Sequence, residues 1–552
     1  MRATTVAKVR TATCFIGMGA GSWACLVASN NAATPKETEQ IEITVYTNTV
    51  IRPINPEIYG MSHAGRRHYK ELKVPLARWG GNPATRYNWK AGNAWNSARD
   101  WYFRNTSYTS KTAAEALPSG AADRFLTDAN VAGAEAIITI PTIGWVAKNG
   151  DNKIASLSVP ITGGDPISPG SEAIAGYSPD ANRSRTSTRS TLDENVSAED
   201  TGIVSQTQWI RHLTTKFGAG SHGSPKYYAM DNEPELWATT HTDIHPVRPD
   251  YDELYNQFQK SADAVKRVDK NALILGPETW GWTGYFFSAR DEGKDRYATH
   301  ADRLAHGNIP FIPWFLQQVK NHDRLTNKRS LDVLDVHFYP QVDKNTAQDE
   351  LRMRSTRLLW DPTYVEESWI KARVVLIPRL REWVDTNYPG TKIGLSEWDW
   401  GASNRIAGGI ATADALGIFG REGLDLACRW GAPAPGTPTF FAFKLFRNAD
   451  GAGLQFGNES LKTVPTTTPE VTCFSARDHQ SNLLTFVLTN RSSRVKHVSI
   501  NLVGHDSGVF GVYSYSQSNL SKIVKNADII VNRSVLSYRL EPLSMVLLAE
   551  HK

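Results

Sequence analysis

Two short segments each place acids behind an apolar run. YYAMDNEPELW, Tyr227 to Trp237, sets Asp231, Glu233 and Glu235 within five residues, and TKIGLSEWDW (391–400) carries Glu397. Glu233 and Glu397 are 164 residues apart (397 − 233). Two carboxyl groups brought face to face are what hydrolysis of a glycosidic bond requires. One protonates the leaving oxygen; the other attacks the sugar or activates water. A single acid at a strand end reads more simply as a salt-bridged structural group, but two, each flanked by Trp, argue for the pair. Asn232 directly precedes Glu233, and an amide there can hydrogen-bond a sugar 2-hydroxyl. Pro234 stiffens the turn and fixes where Glu233 points. In an extended chain Asp231 and Glu235 would alternate away from Glu233, as ion-pair or cap residues.

Such a pair needs a frame. Short β-rich runs alternate with helical stretches along the chain. The candidate strands are 57–64, 75–82, 136–143, 225–233, 272–278, 331–340, 391–400 and 438–445 (PTFFAFKL). Between them lie amphipathic helix candidates at 251–269 and 369–387, the second interrupted by Pro378. Eight alternations with nearly all-apolar strands predict an α/β fold, a closed (β/α)8 parallel barrel with its site at the C-terminal strand ends. The fourth and seventh strands lie across the mouth from each other, which lets Glu233 and Glu397 meet. The Ser/Pro/Gly/Asp-rich run 163–200 forms a long loop on the third connection, at the cleft border or as a disordered insertion. From about Glu470 the runs are short and alternating with no helix between, the texture of a C-terminal antiparallel β-sandwich. IEITVYTN (41–48) has the same texture and is expected to join that module. The expected division is 1–33 leader, 34–55 N-terminal strand segment, 56–460 barrel and 461–552 sandwich.

Composition narrows the function. Net charge is +5 over 552 residues with no sustained Lys/Arg run, which argues against nucleic-acid binding. Seventeen Trp residues suit a cleft that stacks sugar rings. Trp145, Trp280, Trp282, Trp360 and Trp398, at or after strand ends, are the candidate platforms. MRATTVAKVR followed by an uncharged, small or apolar run reads as an export signal cleaved between Ala28 and Ala33, giving a secreted or periplasmic protein without a transmembrane span. Removing it leaves only Cys428 and Cys473, expected as buried free thiols. HTDIHP (His241, Asp243, His245) has metal-ligand types, but Pro246 and its β-branched neighbours suit a loop rather than a helical metal site. Loop carboxylates could hold a structural Ca2+ whose ligands the sequence does not place.

RWGGNPATRYNWK (78–90), YYAMDNEPELW (227–237), GPETWGWTGYFFSARD (276–291), DVLDVHFYPQ (332–341), SEWDWG (396–401) and ADALGIFGREGL (413–424) together resemble glycoside hydrolase family 44. The order and spacing match across roughly residues 42–460. The resemblance implies a retaining endo-β-1,4-glucanase, often active on xyloglucan, built as barrel plus sandwich, with Glu233 as acid/base and Glu397 as nucleophile. It implies carboxyl oxygens roughly 5–5.5 Å apart and net retention. Glu235 departs from the family pattern, which has a small residue there. Within this frame Arg78 could keep Glu397 charged and Tyr339 could hold it by a phenolic hydrogen bond. Asn82, Asn232, His337, Tyr339, Trp145, Trp282, Trp360 and Trp398 are the candidate substrate contacts. No cofactor is expected for catalysis, and the partner is a β-1,4-glucan or xyloglucan chain acted on by a monomer. Xylan or mannan specificity is the alternative, with non-catalytic carbohydrate binding behind it.

Overall fold

A computed structural model describes residues 40–101, 103–107, 117–150, 186–197, 201–219, 225–293, 295–343 and 346–551. The expected leader and most of the 163–200 run lie outside the described residues. The described chain opens with strand β1 (Gln40–Pro53). Eight parallel strands then close a barrel: β2 (Gly60–Ser62), β3 (Leu76–Trp79), β4 (Glu135–Ile140), β5 (Tyr227–Met230), β6 (Leu273–Thr279), β7 (Val333–Phe338), β8 (Lys392–Trp398) and β9 (Leu426–Arg429). Each strand pairs with its sequence neighbour, and β9 closes on β2 through Cys428↔Gly60 and Arg429↔Met61. Strands this apolar are stable only with both faces covered. Leu76, Ile137, Tyr227, Ala229, Leu275, Val333, Leu426 and Cys428 fill the interior.

Outside the barrel run α1 (Gly120–Val131), α2 (Gln206–Phe217), α3 (Tyr251–Val268), α4 (Phe311–Thr326), α5 (Leu376–Asn387), α6 (Ile406–Glu422) and α7 (Pro438–Arg447). Helix α3 fits the 251–269 expectation, and Asp250 caps it through the Glu253 N–H at 2.9 Å. Helix α5 starts at Leu376 rather than Trp369. Pro378 therefore falls in the first turn, where its missing N–H costs nothing.

The eighth expected strand is wrong. Residues 438–445 are in α7, with Thr437 as N-cap and Pro438 at the first helical position, and the closing strand is the four-residue LACR of β9. Helix α7 has no polar stripe because it is covered on nearly every side. Phe443 stacks on Trp398 of the barrel and Phe441 packs on Tyr515 of the second domain, at 4.8 Å between centroids.

The second domain comprises β10 (Glu459–Val464), β11 (Val471–Arg477), β12 (Leu484–Asn490), β13 (Lys496–Val503), β14 (Ser507–Ser516), β15 (Asn519–Asn532), β16 (Val535–Leu540) and β17 (Ser544–His551), with β1 as ninth strand. The strands hydrogen-bond into a closed ring rather than two open sheets, and β1 closes it by pairing antiparallel with β10 and parallel with β13. Helix α6 docks this domain to the barrel. Its Gly417 leaves no room for a side chain, since an added Cβ would lie 2.3 Å from Phe474. Asp414, buried in the same helix, accepts from Thr472 Oγ1 (2.7 Å) and Thr489 Oγ1 (2.9 Å). Cys428 and Cys473 are buried free thiols in separate cores. Among the described residues no helix is long and apolar enough to cross a membrane.

Candidate active site

The C-terminal ends of β3, β5, β6, β7 and β8 bring one charged cluster together. Arg78 on β3 is completely buried and donates to three oxygen-bearing partners, with His337 Nε2 also 3.4 Å from its Nη2. Its Nη1 donates to Glu397 Oε1 at 2.6 Å, and its Nη2 donates to Asn232 Oδ1 at 2.9 Å and to Glu278 Oε2 at 3.2 Å. Tyr339, just past β7, donates its hydroxyl to Glu397 Oε2 at 2.7 Å. Glu397 is thus held at both oxygens. Burial opposes its charge, but the His337 cation, Arg78 and the Tyr339 hydroxyl outweigh that and hold its carboxyl below the usual range.

Glu233 follows β5 on a turn in which Asp231 (φ 69°) and Glu233 (φ 47°) both occupy the left-handed region. Two such non-glycine residues are costly unless their surroundings over-determine them, a pattern that concentrates at active sites. Here the restraint is dense. Asp231 accepts from Thr85 Oγ1, the Thr142 N–H and hydroxyl, and the Ile143 and Asn232 N–H groups, at 2.6–3.1 Å. The Glu233 N–H donates to Glu278 O at 3.1 Å. The expected extended chain is therefore absent. Asp231 and Glu235 are hydrogen-bonded anchors rather than ion-pair residues, Glu235 Oε1 accepting from the Trp280 N–H at 2.8 Å.

His337 Nδ1 lies 2.9 Å from Glu233 Oε1 and 3.6 Å from Glu397 Oε2, and Nε2 lies 3.1 Å from Ser396 Oγ. Burial works against its charge, yet Glu397, Glu233 and Glu278 together raise it well above the usual imidazole value. The imidazolium donates to Glu233 from Nδ1, leaving Glu233 Oε2 free to carry a proton. Burial is the largest influence on Glu233, aided by the Glu397 charge, and its carboxyl is raised. Two acids in one site are pushed in opposite directions, the arrangement that separates a proton donor from a nucleophile. One oxygen of Glu233 and one of Glu397 lie within 4.8 Å.

Beneath them sits a layer that sequence reasoning missed. Glu278 is fully buried; burial raises its pKa, but His337, Asp335 and Arg78 overcome this and leave it at about 2. Asp335 is pushed well above the carboxylate range by burial and by Glu278. A proton on Asp335 satisfies Glu278 Oε1 and Asp335 Oδ2, which have no other donor. Ser396 joins the layer, donating its hydroxyl to Glu278 Oε2 at 3.1 Å and its N–H to Asp335 Oδ1 at 2.9 Å. Two acid–His groups have the spacing for a metal, Glu233–His337–Glu397 and Glu278–Asp335–His337. Arg78 already supplies a cation to both. Of the HTDIHP residues, Asp243 takes Arg86 at 2.7 and 3.0 Å and His245 takes Glu253 at 2.8 Å, while His241 is fully buried, which holds its imidazole well below the usual value.

The other candidates divide. Asn232 Oδ1 also accepts from the Gly81 N–H at 3.0 Å, and its Nδ2 reaches Asn82 Oδ1 at 3.4 Å, which ties Asn82 to the residue preceding Glu233. Of the candidate platforms, Trp398 and Trp145 are buried, while Trp360 and Trp282 are half-buried with an arginine over the ring. Trp398 is fully buried among Trp400, Phe419 and Phe443, because alternation along β8 turns it outward when Glu397 turns inward. The Trp360 ring is covered by Arg421 at 4.3 Å, beside Phe474 of the second domain. Trp145 is 6% exposed beneath Arg189, and Trp282 packs edge-on against Phe286 with Arg379 over its ring. A half-buried aromatic at the site, Trp430 after β9, was not anticipated. It lies against Gly81 and meets His63 edge-on at 5.2 Å.

Comparison with known proteins bears on this geometry. A family model described as glycoside hydrolase family 44 matches residues 94–342. Endoglucanase A of Paenibacillus lautus is 30% identical over 545 residues, covering 94% of this chain and 73% of that protein. The chain belongs to glycoside hydrolase family 44. A solved bifunctional glucanase–xylanase from a metagenome library is 36% identical, with TM-score 0.82 over 93% of this chain and 99% of that one. A family 44 xyloglucanase of Paenibacillus polymyxa, solved with xyloglucan, is 26% identical, with TM-score 0.81 over 93% of this chain and 100% of that one. The family 44 barrel with its second β-domain is the fold described above, and the chain is a glycoside hydrolase.

Proposed function

We propose that the chain is an exported, monomeric, retaining endo-β-1,4-glucanase acting on β-glucan and xyloglucan backbones, with Glu233 as acid/base and Glu397 as nucleophile. The observation that carries the mechanism is the approach of the two carboxyl groups to within 4.8 Å. Retaining enzymes hold them about 5–5.5 Å apart, whereas inverting ones leave about 6.5–9.5 Å for a water.

In the first step Glu397, kept ionised by Arg78 and Tyr339, attacks the anomeric carbon. The bond to the leaving oxygen breaks as Glu233 Oε2 gives that oxygen its proton. Asn232, fixed by Arg78 and Gly81, is placed to bond the sugar 2-hydroxyl, and His337 stabilises the Glu233 carboxylate that results. In the second step that carboxylate takes a proton from water, which attacks the same carbon and releases Glu397. Charge and protons balance over the cycle, and no cofactor takes part.

Following hydrolysis of a β-1,4-glucan oligosaccharide by proton NMR tests the stereochemistry. The β-anomer appears first; first release of the α-anomer overturns the proposal. Xylan is the second reading, favoured by the 36% identity to a glucanase–xylanase. Initial rates on xyloglucan, carboxymethylcellulose, xylan and mannan rank the substrates, with Glu397→Gln inactive on each. Export rests on the composition of residues 1–33 and is checked by N-terminal sequencing of enzyme recovered from culture medium.

A further inference from the structure

Beneath the acid pair, two buried cations meet. Arg78 Nη2 lies 3.4 Å from His337 Nε2, and both side chains are fully buried. Like charges this close in an interior need anions that reach both of them. Two carboxylates do. Glu397 accepts from Arg78 at Oε1 (2.6 Å), and its Oε2 lies 3.6 Å from His337 Nδ1. Glu278 Oε2 lies 3.2 Å from Arg78 Nη2 and 3.5 Å from His337 Nε2, so one oxygen caps both cations. Ser396 gives its single hydroxyl proton to that oxygen, which leaves Oγ to accept from His337 Nε2 at 3.1 Å. His337 Nδ1 faces Glu233 Oε1 at 2.9 Å. Both ring nitrogens thus face acceptors, a demand that only the imidazolium meets. Glu278 itself sits in the left-handed region (φ 61°) at the end of β6, where its carbonyl also accepts the Glu233 N–H. A non-glycine residue persists there only when its surroundings over-determine it, a pattern that concentrates at functional sites.

The reaction removes one of the two bridging anions. When Glu397 bonds the anomeric carbon its charge is gone, and Glu233, having given its proton to the leaving oxygen, becomes the anion instead. Attack by water reverses the exchange. Four acids, Glu233, Glu278, Asp335 and Glu397, face the cations Arg78 and His337, and neutrality requires two of the four to be ionised. One of those two charges moves between Glu397 and Glu233. The other is on Glu278, which no step touches. Asp335 keeps a proton, because its Oδ2 and Glu278 Oε1 have no other donor among the described residues. The surrounding groups add no charge of either sign. Burial keeps the Tyr339 hydroxyl and the Cys428 thiol of β9 neutral and pushes the Glu235 carboxyl up to about 8. His63, after β2, is lowered toward the neutral ring by burial and by Arg78.

We propose that Glu278 is a positioning residue, the standing counter-ion that keeps His337 and Arg78 charged and in place while the second negative charge passes from Glu397 to Glu233 and back, with neutral Asp335 as its proton donor. The inference rests on the assignment of Glu233 and Glu397 above.

The test is kcat/KM for cellohexaose against pH, which reports the free enzyme. Wild type, Glu278→Gln and Asp335→Asn are compared in the full chain, with melting curves at the pH extremes. Glu278→Gln removes a negative charge beside both titrating groups. Glu397 then ionises at lower pH, and the coupled His337–Glu233 pair releases its proton at lower pH. Both limbs therefore move to lower pH by about one pH unit or more, the effect of a single charge within about 4–6 Å. Asp335→Asn exchanges one neutral donor for another and leaves both limbs in place, whatever it does to kcat. Unmoved limbs in folded Glu278→Gln, with the rate lowered equally at every pH, make Glu278 a packing group and overturn the proposal. Limbs that move to lower pH in Asp335→Asn show that Asp335 is ionised, and overturn it too. If Glu278→Gln does not fold, the wild type decides. In 15N-histidine-labelled enzyme the His337 ring, identified by the signals lost in His337→Asn, is doubly protonated across the activity plateau; a singly protonated ring overturns the proposal. Glu233→Gln and Glu397→Gln separate the two readings. Activity retained in either sinks the assignment on which this inference rests, whereas inactivity in both with unmoved limbs in Glu278→Gln sinks this inference alone.

Discussion

Replacing Tyr339 by Phe removes one oxygen from the site and leaves the ring. That hydroxyl donates to Glu397 Oε2 at 2.7 Å, while Arg78 holds Oε1 at 2.6 Å. A hydrogen bond to a charged group contributes about 1.5–3 kcal/mol, and it favours the ionised form of Glu397 only. The Glu397 carboxyl is held below its usual range, so its charge is present above that depressed pKa and lost as pH falls through it. Without Tyr339 the pKa rises and the acid limb of kcat/KM moves to higher pH. At 1.36 kcal/mol per factor of ten, the loss is about 10- to 150-fold at pH values on that limb, shrinking toward the plateau. The assay is kcat/KM for xyloglucan or a glucan oligosaccharide against pH, with the variant's melting temperature recorded. Two results refute the reasoning. One is a loss of equal size at every pH, which would make Tyr339 a positioning group rather than a charge stabiliser. The other is a shift confined to the alkaline limb, which would tie Tyr339 to Glu233 instead.

Glu233→Gln removes the proton donor and lowers kcat on cellohexaose by about 10²–10⁴; an aryl cellobioside with an acidic leaving group loses less in the first step, which pre-steady-state release of the phenol reads out. Arg78→Met strands two buried carboxylates and destabilises the fold by about 3–5 kcal/mol, measurable by denaturant unfolding; an unchanged midpoint would show that Arg78 is not the central cation. Trp398→Ala opens a cavity between β8 and α7 and costs about 3–5 kcal/mol, while the product pattern from xyloglucan stays that of the wild type; a changed product pattern would return Trp398 to the cleft.

The carboxyl pair was legible because each acid follows an apolar run long enough to be a strand, and barrel topology places such ends at one mouth. Glu278 carries the same signal, since GPET follows ALIL just as DNE follows YYAM. Asp335 also stands out, an acid inside the otherwise apolar DVLDVHF. Neither is interpretable without its partners, because a shared proton beneath Arg78 depends on three strands meeting. Trp398 departs from expectation for a different reason: it ends a strand beside Glu397, and in a strand the adjacent side chain faces the opposite way. PTFFAFKL read as a strand because a helix buried on every side loses the 3.6-residue periodicity that identifies it, and LACR was too short to compete. The left-handed turn at Asp231 and Glu233 is invisible in composition, since it is imposed by five hydrogen bonds from three other segments.

Strand β1 gives the second domain an unusual dependence on the order of synthesis. Thr47 in that strand donates to Val503 O, 456 residues further along the chain. The domain's ring of strands therefore cannot close until the whole barrel sequence has been made, although its first strand precedes the barrel in the chain. Until then β1 lacks the partners it has on both edges of the folded ring, and an unpaired strand edge invites wrong pairing. The same topology limits genetic shuffling. A module whose strands flank the catalytic barrel on both sides cannot be cut out or appended as a single cassette, so barrel and ring are expected to be inherited together.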